Sequence, residues 1–204
     1  LTSWFDVGNR SELQALSSLT LPTNNGILAL FHNIRELIVL YKHIEDFVST
    51  WRNESAATLR TLELLTDESL GQQITQDHRT LGRLAWHLVQ TLHEMPARIG
   101  LLIEEPSEDV PTSAANIAAI YKRSSQALLD TVQSSWKDEN LLVMNDMYGE
   151  QWPNGVTLDT LVKHEIHHRG QMTVLMRQAG LRTPDLYGPT KEQWAEFGAP
   201  APAI

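Results

Sequence analysis

Residues 156–179 read VTLDTLVKHEIHHRGQMTVLMRQA and are followed by Gly180. Leu161, His164, His168, Met172 and Leu175 recur there at three- and four-residue steps, the spacing that lines one face of an α-helix. Asn154-Gly155 reads as a turn before the segment, and Gly180 stands where a helix closes in the left-handed conformation. The pattern therefore predicts a helix over 156–179. His164 and His168 differ by about 40° around its axis and stack one turn apart on the face that carries Leu161, Met172 and Leu175. His167 falls about 100° from His168 and looks sideways.

Three more segments share this period. Ile44, Val48, Trp51, Ser55, Leu59, Leu62 and Leu65 predict a helix over about 43–66. Thr80 stands as the cap of a second, with the stripe Leu81, Leu84, Leu88, Leu92, Met95, Ile99 and Leu102, which Pro96 should kink or split because it lacks an amide donor. Pro111-Thr112-Ser113 reads as a stop followed by a cap, and Ile117, Tyr121, Leu128, Val132 and Trp136 mark a third. No run alternates apolar and polar residues as a half-buried strand does, so the class is all-α and the architecture a four-helix bundle without a substantial sheet. The linker 137–155 contains Met144, Met147, Tyr148 and Trp152, which should pack on the bundle and could line a pocket.

The bundle domain is expected to span 43–204, with 1–42 as an N-terminal extension, helical from about residue 26 on the steps of Ile27, Leu30, Phe31, Ile34, Leu37, Ile38 and Tyr41. Beyond Gly180, Pro184, Gly188 and Pro189 impose a turn-rich tail, with a short last helix expected over 191–197. The net charge of −9 repels a phosphate backbone and an anionic membrane alike, which argues against nucleic acid and membrane as partners. No apolar run is long enough to span a bilayer and the start lacks a signal-peptide pattern, so the expected location is cytoplasmic. With 0 cysteines, disulfides, zinc ribbons, iron–sulfur clusters and a cysteine nucleophile are excluded, and soft chemistry must come from histidine or a bound thiol.

Neutral imidazoles one turn apart can share a cation, but the spacing of His164 and His168 alone does not separate a metal site from two core histidines. The string His164-Glu165-Ile166-His167-His168 also fits the H-E-x-x-H pattern in which the glutamate is a general base. No third ligand follows in the expected context, and Glu165 points about 100° from His164. His87 is the alternative third ligand, about 60° off the stripe of its own helix, where a lone histidine is more often a core-edge residue with one hydrogen bond than a ligand. His32, His43, His78 and His93 have no partner at ligand spacing. Gly170 is expected to admit a neighbouring helix and Arg169 to pair with an acidic residue on it, while Gln171 is within reach of the histidines.

The runs Thr80-Leu81-Gly82-Arg83-Leu84-Ala85-Trp86-His87, His164-Glu165-Ile166-His167-His168-Arg169-Gly170-Gln171 and Arg177-Gln178-Ala179-Gly180 resemble the DinB/YfiT family of bacterial metalloenzymes. This DinB is the damage-inducible four-helix protein, unrelated to the polymerase of the same name. The resemblance covers roughly residues 43–188. It implies His87, His164 and His168 as ligands of one divalent cation, with His167 outside the set, nickel or zinc as the metal, an up-down-down-up bundle and a homodimer. Members of the family point to transfer chemistry on a small-molecule substrate with a low-molecular-weight thiol such as bacillithiol. Metal-dependent hydrolysis, with Glu165 as base, is the alternative. A non-enzymatic, stress-related bundle that binds a metal or small molecule is a further one. An acidic thiol would need basic groups such as Arg83 or Arg169 near the mouth.

Overall fold

The computed structural model describes residues 41–203, so the expected extension 1–42 and its helix from about residue 26 lie almost wholly outside the described residues. Four long helices build the fold: α1 Ile44–Glu63, α2 Leu81–Arg98, α3 Ala114–Ser135 and α4 Asn154–Gln178. α1 packs on α3 and α4, and α2 packs on the same two. Consecutive helices α1 and α2 therefore sit diagonally, as do α3 and α4, an order that requires the long connections 64–80 and 136–153. Phe47, Val48 and Trp51 of α1, Leu88, Val89 and Leu92 of α2, Ile117, Tyr121 and Leu128 of α3 and Leu158 and Met172 of α4 are fully buried between them. Full burial of each large aliphatic side chain contributes about 1.5–3 kcal/mol.

The helix ends follow from local chemistry. Asp46 Oδ2 accepts from the amides of Lys42 and His43 at 3.1 and 2.9 Å, and Asp138 reaches across from the 136–153 connection to accept from the Ile44 amide at 2.8 Å. Thr80 caps α2 through a 3.1 Å bond from the Arg83 amide, and Ser113 caps α3 through one of 3.4 Å from Asn116. Pro96 does not split α2. It lies in the last turn, and the helix stops two residues later at a Schellman closure: Gly100, at φ +81°, donates to Ala97 O and Leu101 to Pro96 O. The predicted stripe is therefore corrected at its end, because the chain leaves the helix with Leu101 and Ile103 buried and Leu102 81% exposed. α4 closes in the same way, with Gly180 at φ +77° donating to Arg177 O and Leu181 to Met176 O.

Two other expectations change. Asn154 and Gly155 open α4 instead of preceding it, because Asn154 is buried and tied on three sides, its amide to Val143 O and its side chain to Asn140 O and Asn145 Nδ2. The linker forms a small antiparallel ribbon, β1 Met144–Met147 and β2 Glu150–Pro153, closed by Tyr148 and Gly149 at φ 59° and 92°. Met147 and Leu141 pack inward and Trp152 lies against the core, while Met144 and Tyr148 remain exposed. The short last helix is reduced to a 3-10 turn at Gln193–Ala195. No described helix is long and apolar enough to cross a membrane.

Candidate metal centre

The α2–α4 contact brings together three imidazoles that lie far apart in sequence. His87 sits seven residues into α2, while His164 and His168 take adjacent turns of α4, as their spacing predicts. His164 Nε2 is 3.0 Å from His87 Nε2 and 3.1 Å from His168 Nε2. The ring centroids are 4.4–4.8 Å apart and the planes cross at 65–86°, so the rings meet edge to face rather than stacking. All three ligand atoms lie within 4.8 Å of one another.

Hydrogen bonding among the rings cannot account for this arrangement. An imidazole nitrogen offers one in-plane position, either a proton or a lone pair, yet His164 Nε2 faces two neighbours. His168 Nδ1 lies 2.7 Å from Gln171 Oε1, which accepts only, so Nδ1 carries the proton and the His168 Nε2 lone pair faces inward. A cation fits the donor set. Two nitrogens each about 2.1 Å from one ion are about 3 Å apart at a right angle and about 3.4 Å apart at the tetrahedral angle, so the His164–His87 and His164–His168 pairs, at 3.0 and 3.1 Å, are compatible with one shared ion. Gln171 thus has a position that the sequence left undecided, and its amide nitrogen also lies 3.0 Å from His167 Nε2. His164 Nδ1 is buried with no hydrogen-bond partner among the described residues.

The surroundings keep the imidazoles neutral. Burial, then the neighbouring histidines, then Arg79 and Arg83 push His87 down to about 2. Burial, His168, His167 and Arg79 push His164 down to about 3. Burial lowers His168 too, although Gln171 works in the opposite direction. Neutral imidazole is the form that ligates a metal.

The remaining candidates go elsewhere. His167 is exposed and outside the three-nitrogen group. His43 bonds Asp138 at 2.8 Å, His78 bonds Thr75, and His93 Nδ1 donates to Ile103 O at 2.7 Å, while His32 lies outside the described residues. Glu165 turns away from the site into the core, where the Tyr121 hydroxyl donates to its Oε2 at 2.9 Å and burial raises its pKa to about 7. The base of the H-E-x-x-H pattern is therefore not beside the histidines. Arg169 is buried as well, paired with Glu54 of α1 and donating to Glu54 O at 2.9 Å and Thr58 Oγ1 at 3.0 Å, which matches its expected partner and removes it from the mouth. A Cβ at Gly170 would meet nothing within 4 Å, so the expected close approach of a neighbouring helix is not there. It occurs at Gly82, whose Cβ would stand 3.0 Å from Leu70 Cβ and 3.1 Å from Leu70 O. A cavity of about 520 Å³ opens between the 103–111 loop and α3; neither the three histidines nor the 137–155 linker lines it.

Fold and site together describe a four-helix protein with a cluster of three histidines, compatible with a metal site, shared by two packed helices. The DinB family model matches residues 40–202, and the chain belongs to that family. It is 46% identical over 167 residues to the uncharacterized protein YrdA of Bacillus subtilis strain 168, covering 81% of this chain and all of that one. It is 45% identical to a DinB-like protein from Bacillus cereus ATCC 10987 of known crystal structure, with a TM-score of 0.70 over 72% of this chain and all of that one. The DinB-like protein YjoA of Bacillus subtilis, 18% identical, shares the fold at a TM-score of 0.57 over 70% of this chain and 96% of that one.

Proposed function

We propose that the chain is a divalent-metal-dependent enzyme that transfers a group between an electrophilic small molecule and a low-molecular-weight thiol, with His87, His164 and His168 holding nickel or zinc. The carrying observation is the meeting of three neutral imidazole nitrogens on two helices. Three protein ligands leave a coordination position open, as catalytic rather than closed structural sites do. When bound, the cation would lower the pKa of a thiol brought to it and so supply a nucleophile at neutral pH. The chain has 0 cysteines to supply one itself.

Its own residues orient and insulate. Gln171 fixes the tautomer of His168, α2 and α4 hold the ligands on rigid elements, and burial keeps protons off the imidazoles. The hydrolytic alternative loses support because Glu165 is bonded to Tyr121 rather than placed as a base beside the histidines. A homodimer in the cytoplasm is part of the same reading.

The experiment is conjugation of a generic electrophile with several thiols by the metal-loaded protein, the apo protein and His168→Ala. The sulfur–carbon bond should form and the leaving group depart only with metal-loaded wild type. Equal rates in all three proteins would overturn the transferase reading and leave a binding bundle, whereas metal-dependent turnover without thiol would assign hydrolysis.

A further inference from the structure

The cavity of about 520 Å³ between the 103–111 loop and α3 lies apart from the histidines and is large enough to enclose a small molecule. Its loop wall is held from the side of α2. His93 Nδ1 donates to Ile103 O at 2.7 Å, and Trp86 Nε1 and Gln90 Nε2 both donate to Ser107 O, at 3.0 and 3.3 Å. Pro106 and Pro111 fix φ on either side of the Ser107 anchor. A wall tied in this way is formed before any ligand arrives, which lowers the cost of binding. The opposite wall is α3, where Ile120, Ser124 and Ala127 follow at three- and four-residue steps on one face. Ser124 is 8% exposed, yet its hydroxyl has no hydrogen-bond partner among the described residues, whereas Thr131 on the same helix bonds back to Ala127 O at 2.7 Å. A buried hydroxyl left unpaired is costly, so this one is poised to accept from a molecule in the cavity.

Charge and lining together select the kind of molecule. Glu104, Glu105 and Asp109 line the cavity, and none of their carboxylates has an ion pair or hydrogen bond among the described residues. Arg123 is the one cation in the lining. Apolar surface comes from Trp86, Ile103 and Ile120. We infer that the cavity is a second small-molecule site, for an aromatic amine: its ring lies against these apolar side chains, a ring N–H donates to Ser124 Oγ, and its ammonium group turns to the loop carboxylates. A carboxylic acid or a phosphate is disfavoured there, because the carboxylates repel it. The site shares no residue with the three histidines and does not rest on the metal-site reading.

The test is titration calorimetry of the full metal-free chain at pH 7 with three probes on one skeleton: tryptamine, tryptophol and indole-3-propionate, which are a cation, a neutral molecule and an anion. Wild type should bind tryptamine with a Kd of about 1 mM or below, at least about tenfold more tightly than tryptophol, and the acid least of all. The preference for the amine should shrink as salt is raised. Glu104→Gln, Glu105→Gln and Asp109→Asn together, all on the exposed loop, should bring the amine-to-alcohol ratio to within about twofold and leave tryptophol binding unchanged. Ser124→Ala should weaken both of these probes by about three- to tenfold, the size of one hydrogen bond, without altering their ratio. Ala127→Phe, which fills the cavity, should abolish binding of both, and the loop variant decides the matter where this one does not fold. His168→Ala should bind all three probes as wild type does. Equal binding of amine and alcohol to wild type, a preference for the acid, an undiminished preference for the amine in the loop variant, or no binding of tryptamine at about 10 mM overturns the inference. Loss of tryptamine binding in His168→Ala overturns it too, by moving the probe to the histidines, and leaves the metal-site reading untouched.

Discussion

His164 Nε2 faces two other ring nitrogens at 3.0 and 3.1 Å, so its removal should be felt by both neighbours. Replacing His87, His164 or His168 with Ala should each lower zinc or nickel affinity by at least about a hundredfold, because two imidazoles make a poor site. His167→Ala should change it by less than about threefold, since that ring stays outside the group. Titration calorimetry of the four variants is the measurement, and metal lost in His167→Ala but kept in His168→Ala would show the α4 register to be wrong. Gln171→Leu should cost about 10–100-fold, the usual loss when the hydrogen bond that orients a ligand histidine is removed. The pair on α4 was legible because helical period alone stacks residues four apart. His87 stood out on its own helix only as an alternative third ligand, and the resemblance alone turned the balance toward it, since no spacing rule links it to a helix 77 residues away. Gln171 was within reach on the same helix, but an amide can donate or accept, and only the placed His168 ring shows which it does.

At the scale of the element, the close approach expected at Gly170 is found instead at Gly82. Gly82 stands where α2 meets the turn at Glu68–Gly71, so Gly82→Ala must shift backbone or the Leu70 side chain and should cost about 1–3 kcal/mol. Gly170 is exposed and helical with open space around its Cβ position, so Gly170→Ala should stabilise by about 0.5–1 kcal/mol through helix propensity. Urea denaturation separates the two, and the same sign for both would contradict this assignment. The start of α1 gives a pH-dependent test. Hydrogen bonding to Asp138 raises the pKa of His43, so its contribution is present below 6.5 and is lost as pH rises through the higher folded value. Bonds from His43 and the Ile44 amide lower Asp138, whose contribution is present above 3.8 and is lost as pH falls through the lower folded value. Asp138→Asn should therefore lower the thermal midpoint more at pH 5.5 than at pH 8.5; an equal loss at both would remove the ion pair from the account. The helix stripes and caps were legible in sequence, whereas Asp138 was not, because it caps a helix 94 residues away. The ribbon was missed for a related reason. Four-residue strands are too short to establish a period, and their turn needs positive φ at Tyr148, a residue type that gives no turn signal.

At the scale of the whole molecule, the four helices could be counted from periodicity, but the diagonal placement of α1 and α2 depends on which faces fit, and one polar residue has a large share in that. Arg169 of α4 is 1% exposed and joins three parts of the chain: the Glu54 carboxylate and backbone carbonyl and Thr58 Oγ1 on α1, and the Tyr187 hydroxyl in the segment after α4. Tyr187 also donates to Glu54 at 2.6 Å. This explains why Thr58, a polar residue, is fully buried on α1, where an apolar stripe alone would predict an aliphatic side chain. Removing a buried charge leaves its partner uncompensated, so Arg169→Ala should destabilise the protein by about 3–5 kcal/mol. Arg169→Lys should recover little of that, because one ammonium cannot reproduce a planar fork reaching α1 and Tyr187 together. Tyr187→Phe should cost only about 1 kcal/mol, the size of a single hydrogen bond, yet expose residues 181–203 to faster proteolysis. The Arg169→Ala, Glu54→Ala double variant should be less destabilised than the sum of the singles, since neither charge is then left alone. Chemical denaturation of the set is the measurement. An Arg169→Ala protein within about 1 kcal/mol of wild type, or strictly additive singles, would show that the helices are held in this order by apolar packing alone.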